Sequence, residues 1–424
     1  MAASPHGVFL KRRGKESDVS AQPIRDVVVV GLGPSGLVTA LALAEVGANV
    51  AAIGAPSPAN GPSRETRTAA LLASSVDLLK SLGVWQTILP HAAPLEAIRI
   101  IDASQSLIRA PEIEFRAEEI GLPAFGYNVA NTVLTDTLHA RAKAVLPAIV
   151  AAKVNKVAFE PDRAVLSLSN GEEIAARLVA GADGRNSICR KSAGIGVTER
   201  LYDQAALAAS FSHARPHESV STELHREGGS VTTVPLPDPH ASSLIWVGSP
   251  AEIERLMQLD APDFSTALSE RLAGVLGEIS ETGPRADFKV AGLVADRLGA
   301  KRVVLIGEAA HILPPIGAQG LNLGFRDAAS LADCVAGALG KQRDPGDHET
   351  IDAYIGARRL DVITRSLGVD LMSRSLLTSL PPLQAARGLV MQGLKALPPL
   401  RRAVMRVGLT PPTELPRLMR GERD

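Results

Sequence analysis

The chain has 424 residues, of which 46% are hydrophobic and 21% are charged, and its formal net charge is +0. This length fits roughly two to three domains with a large core, and the balanced charge gives no reason to expect nucleic-acid binding. The two cysteines, Cys189 and Cys334, lie far apart and form no CxxC pair, so we expect reduced thiols in a cytosolic protein and no metal site.

The start of the chain carries no recognisable membrane signal. Residues 1–23 are polar and basic and lack the apolar core of a signal peptide, so we expect a disordered extension. A mitochondrial leader is the alternative, against which Glu16 and Asp18 argue. The most apolar stretch, Val27 to Val46, is interrupted by Gly31, Gly33 and Pro34. Because a spanning helix needs a continuous apolar run of about 20 residues, the sequence predicts no transmembrane segment.

The first motif is GLGPSG at residues 31–36. It follows a β-branched strand, 26–30, and precedes a predicted helix, 37–46, and a second apolar strand, 49–53. In such a βαβ unit Gly31 makes the tight turn, Gly33 lets the backbone approach a pyrophosphate, and Gly36 lets the helix pack on the strand. The motif therefore predicts dinucleotide binding.

The second strand of this unit lacks an expected acid. Dinucleotide sites carry Asp or Glu at its end to bind the adenosine ribose, whereas this chain has Ile53-Gly54-Ala55-Pro56. Either another group holds the ribose or the adenosine is held loosely.

Arg67 stands at the predicted start of an amphipathic helix that ends near Leu82. There it could pair with a phosphate or a flavin edge, or be a surface charge beside Glu65. Further along, the pattern predicts a hairpin over 98–101 and 106–108, then an extended segment over 125–131. Asn131 or Thr132 would cap the helix that follows, to about residue 145.

The second motif is GADGRNS at residues 181–187. Alternating residues predict strands over 148–157 and 164–168, and Asn170-Gly171 predicts a two-residue hairpin turn into a strand over 174–180. This strand delivers the carboxylate of Asp183 onto a glycine-rich turn ahead of a helix. From 205 to 290, four strand-like runs and a helical pair predict a mainly antiparallel sheet inserted between two halves of the nucleotide domain.

The third motif is GEAAHILPPIGAQGLNLGFRD at residues 307–327. A buried strand over 303–306 breaks at Gly307-Glu308, and a helix resumes near Leu321. The loop places a carboxylate at a strand end and points backbone N–H groups at whatever precedes the helix, which suits an electron-rich, polyhydroxylated ligand. An ordinary strand–loop–helix connection is the alternative. Beyond Asp327 the pattern is helical, with breaks at 345–346, 381–382 and 398–399.

These three motifs, in this order and spacing, resemble the class A flavin monooxygenases with the p-hydroxybenzoate hydroxylase fold. Finer features, among them RTAAL at 67–71 and YDQ at 202–204, resemble the ubiquinone-biosynthesis hydroxylase branch. The resemblance implies an α/β fold: a Rossmann-like FAD-binding domain with an inserted, mainly antiparallel β-sheet substrate domain and a C-terminal helical region. The implied division is FAD-binding domain 24–95, 117–200 and 297–340, substrate domain 96–116 (a hairpin) and 201–296, and C-terminal helices 341–424.

The resemblance also implies the residues of the site. Gly31, Gly33, Ser35 and Gly36 would bind the pyrophosphate of FAD, with Arg67 along the cofactor and Asp183 at the pyrophosphate–ribityl region. Gly307 and Glu308 would take the ribityl chain, and the family usually has Asp where this chain has Glu308. The isoalloxazine would be wrapped by Pro315, Gly317, Gln319, Gly320, Leu321 and Asn322. The substrate pocket would include Val234, Pro235 and Pro314.

The implied activity is hydroxylation of the aromatic ring of a polyprenylated ubiquinone precursor, with NAD(P)H and O₂, through a flavin C4a-hydroperoxide. No second GxGxxG is present, so NAD(P)H would be a transient reductant. We identify no catalytic residue, and we expect His311 to pack and hydrogen-bond rather than to transfer protons. The alternatives are a flavin hydroxylase of a soluble aromatic compound and a flavin-free scaffold of a quinone-synthesis complex.

The partner implied by the resemblance is a polyprenyl-phenol or quinone precursor. Its long tail implies an apolar tunnel or contact with a membrane surface, and basic residues alternate with apolar ones at 400–407. That segment could lie on an anionic surface, dock a protein of a quinone-biosynthesis complex, or pack on its own domain. We expect a cytoplasmic location and leave peripheral contact at the inner membrane open.

Overall fold

A computed structural model describes residues 24–55, 66–103, 111–226, 228–315, 317–377, 381–409 and 413–421, and within these the side chains of 371–377 and 381–387 are left undescribed. Strands and helices are numbered below in chain order. These described residues form three sheets and a helical C-terminal region.

The first sheet has eight strands and is built around a parallel centre in the order β18-β19-β11-β1-β2-β8, with a β9–β10 hairpin on β11. Residues 27–30 of β1 are buried on both faces, as expected for a central parallel strand covered by helices. The strands are β1 Arg25–Val30, β2 Val50–Gly54, β8 Ala148–Ala151, β9 Val154–Phe159, β10 Ala164–Leu168, β11 Glu173–Gly181, β18 Gly299–Ala300 and β19 Val303–Leu305.

The second sheet has nine strands in the order β20-β17-β12-β15-β14-β13-β5-β6, and β16 pairs with β12. Its pairs are antiparallel except for β13 with β5. The strands are β5 Ala97–Asp102, β6 Ile113–Arg116, β12 Val197–His213, β13 Val220–Arg226, β14 Gly229–Pro235, β15 Ala241–Gly248, β16 Ile279–Thr282, β17 Ala286–Ala295 and β20 His311–Ile312. A third sheet, in the order β3-β7-β4, consists of β3 Thr68–Leu72, β4 Ala92–Pro94 and β7 Gly126–Ala130.

The helices cover the first sheet, line one face of the second, and form the C-terminal region. In the described parts of the chain, none is both long and apolar enough to cross a membrane. The helices are α1 Pro34–Glu45, α2 Ala73–Ser81, α3 Trp85–Ile88, α4 Asn131–Val145, α5 Ile188–Ala193, α6 Pro250–Gln258, α7 Ala261–Leu272, α8 Gln319–Leu339, α9 His348–Leu377, α10 Pro381–Ala396 and α11 Pro398–Leu409.

Several predicted elements are confirmed. The βαβ unit is present as β1, α1 and β2, and β10 and β11 form the hairpin whose turn includes Gly171 with φ +86°. The C-terminal helices α10 and α11 begin at Pro381 and Pro398, where the sequence placed breaks. Proline suits a first helical position because its missing N–H would be unpaired there anyway.

Other predicted elements are wrong. Residues 68–72 form a strand rather than the start of a helix, because they pair with β7, and only 73–81 are helical. Arg67 therefore precedes a strand. Ala130 occupies the N-cap position of α4 without a side-chain cap, so neither Asn131 nor Thr132 caps it. The partner of β5 is β6, and the predicted strand 106–108 lies outside the described residues.

Candidate cofactor site

The three glycine-rich motifs follow three adjacent strands of the first sheet. Strands β19, β11 and β1 are neighbours and run parallel, and a motif begins at the carboxyl end of each. Parallel strands end at the same edge of a sheet, so the motifs converge there. In open α/β sheets this edge is where ligands bind.

The first motif packs directly on the second. Gly31 has φ +116°, and a Cβ there would lie 2.1 Å from the carbonyl oxygen of Ala182. A Cβ on Gly36 would lie 2.0 Å from the carbonyl oxygen of Gly31. Only glycine fits at either position without backbone movement. Gly33 differs, because it is exposed and nothing lies within 4 Å of the place where its Cβ would be.

Ser35 joins the first motif to the third. Its Oγ lies 3.1 Å from the position of a Cβ on Gly307 and 2.7 Å from that of a Cβ on Gly324 in α8. Gly307 has φ +58°. The absence of side chains at these two glycines lets α1 and α8 come together against the turn after β19.

The end of β2, where an acid was expected, is closed by a leucine. A Cβ on Gly54 would lie 2.5 Å from Cγ of Leu32. A larger residue there would have to displace this side chain, which explains locally why the strand ends in glycine. A ribose contact at this point has to come from another part of the chain.

The carboxylate of Asp183 accepts hydrogen bonds at the N-terminus of helix α5. Its Oδ1 accepts a hydrogen bond from Ser187 Oγ at 2.5 Å, and its Oδ2 accepts one from the backbone N–H of Cys189 at 3.1 Å. Burial, and then the charge of Asp183, raise the pKa of the Cys189 thiol well above its ordinary value, so this thiol stays protonated. The predicted contact of Asp183 with the cofactor remains a prediction, and it would use the remaining acceptor positions of a half-buried carboxylate.

The turn after β19 exposes the Glu308 side chain. The loop beyond it reaches α8 through Gly317 and Ala318, whose φ angles of +63° and +54° are in the left-handed region. Gly317 and Gly320 are exposed, so backbone at the N-terminus of α8 is open to a ligand. Such an N-terminus attracts electron-rich groups through its N–H groups and its dipole.

Asn322 is buried and joins α8 to β3. Its Oδ1 accepts from the N–H of Leu72 at 2.8 Å, and its Nδ2 donates to the carbonyl oxygens of Ala70 at 2.8 Å and Ala318 at 2.6 Å. The amide is thus occupied by backbone groups of the protein. Leu321, half-buried, packs against the main core, and Pro315 is half-buried. Direct flavin contact by these residues stays a prediction.

The predicted substrate residues lie in two places. Pro235 is buried and Val234 half-buried at the end of β14, where the Pro235 carbonyl accepts from Asn128 Nδ2 at 2.8 Å. Ser243 Oγ, 3.0 Å from Thr68 Oγ1, also lies between the second and third sheets. Arg67 just before Thr68 is exposed, and its carbonyl accepts from the N–H of Asn131.

Pro314 is buried in a separate cleft of about 210 Å³ between the second sheet and α9, which neither Val234 nor Pro235 lines. A polar cluster stands in this mainly apolar cleft. Asp370 pairs with Arg200 and accepts from Tyr202 Oη at 2.8 Å.

The sequence did not reveal a buried ionic network behind the turn. Asp327 accepts from the N–H of Gly307 at 3.0 Å, from His311 Nε2 at 2.6 Å and from Arg358 Nε at 2.8 Å. Burial alone would raise the pKa of the Asp327 carboxyl, but His311 and Arg358 hold it below its ordinary value. Burial lowers the pKa of neighbouring Arg326 to about 10.

Comparison with known proteins agrees with this geometry. The family described as "FAD binding domain" matches residues 25–366. The chain is 32% identical to the ubiquinone hydroxylase UbiL of Rhodospirillum rubrum, over 95% of this chain and 94% of that protein. It is 30% identical to the 3-demethoxyubiquinol 3-hydroxylase of Escherichia coli, covering 91% and 98%. The crystal structure of p-nitrophenol 4-monooxygenase PnpA from Pseudomonas putida has the same fold, with a TM-score of 0.73 and 19% identity over 95% of this chain and 99% of that one.

Proposed function

This chain belongs to the FAD-binding domain family, and from that premise we propose that it hydroxylates the aromatic ring of a polyprenylated ubiquinone precursor as an FAD-dependent monooxygenase. The observation that carries the proposal is the convergence of the three glycine-rich motifs at one sheet edge. Two relatives, similar over nine-tenths or more of their length, are named as hydroxylases of ubiquinone or demethoxyubiquinol.

The residues at this edge fit FAD. Gly33 and Gly320 have open space where a Cβ would lie, so the N-termini of α1 and α8 present uncovered backbone. The pyrophosphate would be held by Gly31, Gly33, Ser35 and Gly36. The isoalloxazine would be held by Pro315, Gly317, Gly320 and Leu321, and Asn322, whose amide is occupied by backbone groups, would support this loop from α8.

Three charged residues complete the proposed cofactor site. The exposed carboxylate of Glu308, at the end of β19, can accept hydrogen bonds from ribityl hydroxyls. Asp183, which also starts α5, would contribute at the pyrophosphate–ribityl region. Arg67, exposed next to β3, would lie along the cofactor.

When bound, FAD supplies the redox chemistry, namely reduction by NAD(P)H and activation of O₂. The protein positions the ring and keeps water away from it. Buried Pro235 and half-buried Val234 give an apolar wall, and Asn128 holds that strand end through the Pro235 carbonyl. Pro314, next to Pro315 in the chain, lines the different cleft between the second sheet and α9.

The C-terminal helices provide a surface for reaching a substrate with an apolar tail. Helix α10 contacts both α9 and α11, and among the side chains that the structure describes these three helices expose eight large apolar ones. Exposed Arg402 and Arg406 stand among them on α11, and this mixture of charge and apolar area suits an anionic bilayer. The exposed apolar residues are Leu360, Ile363, Leu367, Leu389, Val390, Leu400, Val404 and Val407.

Sedimentation with vesicles tests this surface. We expect the protein to bind phosphatidylcholine vesicles that contain phosphatidylglycerol, and a Val404→Glu/Val407→Glu variant to lose that binding while keeping FAD affinity. Leu201→Glu is the matched control, because Leu201 is 80% exposed and lies on β12, outside these helices. Equal binding by all three proteins would contradict the assignment, and would leave a protein partner as the occupant of this surface.

Two experiments test the function itself. Titration of the purified protein with FAD should give saturable binding with a shifted visible flavin spectrum, and its absence would support the flavin-free scaffold instead. Deletion of the gene should deplete ubiquinone and accumulate an under-hydroxylated precursor. An unchanged quinone pool would contradict the proposed substrate and favour a soluble aromatic compound.

A further inference from the structure

A continuous chain of polar contacts joins the two cofactor-facing parts of the third motif. It begins at the turn after β19, where the N–H of Gly307 donates to Asp327 Oδ2 at 3.0 Å. The other oxygen of Asp327 accepts from Arg358 Nε at 2.8 Å. This first part connects the turn through α8 to α9.

The chain continues along α9. Arg358 Nη1 donates to Asp361 Oδ2 at 2.8 Å, and Asp361 Oδ1 accepts from Arg365 Nε at 3.2 Å. Arg365 lies about two turns beyond Arg358 on the same helix. Its Nη1 leaves α9 and donates to Gln319 Oε1 at 3.0 Å.

The chain ends at the loop before α8, which the proposed site assigns to the isoalloxazine. Gln319, the first residue of α8, donates from Nε2 to the carbonyl oxygen of Gly317 at 3.0 Å. Gly317 and Gly307 both have positive φ, as does Ala318 between Gly317 and α8. Glycine adopts a positive φ without strain, but an alanine keeps one only where its surroundings hold it, so Ala318 is the residue of this loop that needs support.

Burial makes these contacts effective. The side chains of Asp327, Arg358 and Asp361 are at most 2% exposed, and that of Arg365 is 9% exposed. In a poorly solvated interior, charged hydrogen bonds are strong and tolerate little displacement. A buried ionic link therefore runs from the Gly307 turn to Arg365, and half-buried Gln319 extends it to the Gly317 loop.

We propose that Arg365 and Gln319 are positioning residues. They fix the position of the Gly317 loop relative to the Gly307 turn, so that one FAD molecule can contact both segments. The inference rests on the proposed FAD site. It assigns no contact with the cofactor to Arg365 itself. Arg365 also donates to the carbonyl of Gly408 in α11. Replacing Arg365 therefore disturbs α11 as well as the Gly317 loop, whereas replacing Gln319 changes the contacts of the loop only.

A double-mutant cycle on FAD affinity tests the pair. We expect Arg365→Met and Gln319→Ala each to raise the Kd for FAD about tenfold, as for loss of one hydrogen bond to a charged group. The double variant should be no weaker than the weaker single variant, because both changes break the same link. The visible spectrum of bound flavin should differ from that in the wild type, and should be the same in the two single variants and the double variant.

Controls separate positioning from general stability. Arg359→Gln changes an exposed arginine of the same helix and should leave the Kd unchanged. The thermal midpoint of each apoprotein shows whether it remains folded. If Arg365→Met does not fold, Gln319→Ala decides alone, and Arg365→Lys should keep part of the affinity through its charge beside Asp361.

An unchanged Kd in Gln319→Ala, or effects that multiply in the double variant, would overturn the inference. Failure of the wild-type protein to bind FAD would instead overturn the proposed function.

Discussion

The imidazole Nε2 of His311 lies 2.6 Å from Oδ2 of Asp327, and both side chains are at most 1% exposed. The same carboxylate oxygen accepts the N–H of Gly307, the first residue of the proposed ribityl-binding turn. His311 is therefore held inside the protein by a charged partner, in agreement with the packing role expected from the sequence. Asp327 therefore connects this turn to His311 and, through Arg358, to α9.

Replacing Asp327 by Asn should destabilise the protein by about 3–5 kcal/mol. It removes the buried charge that accepts from both His311 and Arg358, and leaves Arg358 with Asp361 alone. Urea unfolding of the apoprotein measures this loss. Asp333→Asn on the same helix is the control. Its partner Arg417 is 60% exposed, so we expect about 1 kcal/mol or less. Equal losses in the two variants would contradict the role given to Asp327.

Two glycines of the first motif should respond differently to alanine. Gly31→Ala would place a Cβ 2.1 Å from the Ala182 carbonyl at a φ of +116°, so we expect little folded protein. Gly33→Ala meets no atom within 4 Å and should fold normally. Its methyl group would occupy the opening at the N-terminus of α1, so FAD affinity should fall at least about tenfold.

Circular dichroism and FAD titration of both variants check this contrast. A Gly33→Ala protein that binds FAD like the wild type would show that the pyrophosphate lies elsewhere.

The sequence was most informative where structure is determined locally. Strand, turn and helix at each glycine-rich motif follow from neighbouring residues, and so does the Asn170-Gly171 hairpin. By contrast, β3 was misread as the start of a helix because only its pairing with β7 makes it a strand. The side chain of Asn322 accepts a hydrogen bond from the N–H of Leu72, which is 250 residues away in the sequence, and no local pattern predicts such a contact.

The burial of the charged residues of α9 could not be predicted from the sequence either. Arg358, Asp361 and Arg365 are spaced like the charges of an ordinary solvent-exposed helix face. Their burial results from the way α9 packs on α8, and thus from tertiary structure. The motifs could therefore be placed at one site from the sequence, but the network that supports them could not.

Glu308→Asp should keep or tighten FAD binding. The family that the sequence resembles usually has Asp here, and the exposed side chain has room to shorten without leaving a cavity. Glu308→Ala removes the acceptor and should weaken binding about tenfold. Titration of both variants with FAD measures the difference. A large loss of affinity in Glu308→Asp would mean that this carboxylate does not take the ribityl chain.

His213 should make the protein less stable in mild acid. Burial, together with His217 and His240, lowers its pKa below the ordinary 6.5, although the Arg215 carbonyl and Asp238 act in the opposite sense. The unfolded chain therefore binds the proton more readily, so stability rises with pH between the lowered pKa and 6.5, and is lost as pH falls through that window. Its Nδ1 lies 2.7 Å from the Arg215 carbonyl and its Nε2 lies 2.9 Å from Ser242 Oγ, which together suit a neutral ring.

Unfolding free energies from pH 7.5 down to 5 should therefore fall more steeply for the wild type than for His213→Gln, which cannot titrate. Carboxylates elsewhere affect both proteins alike, so parallel curves would show that His213 titrates as it does in the unfolded chain.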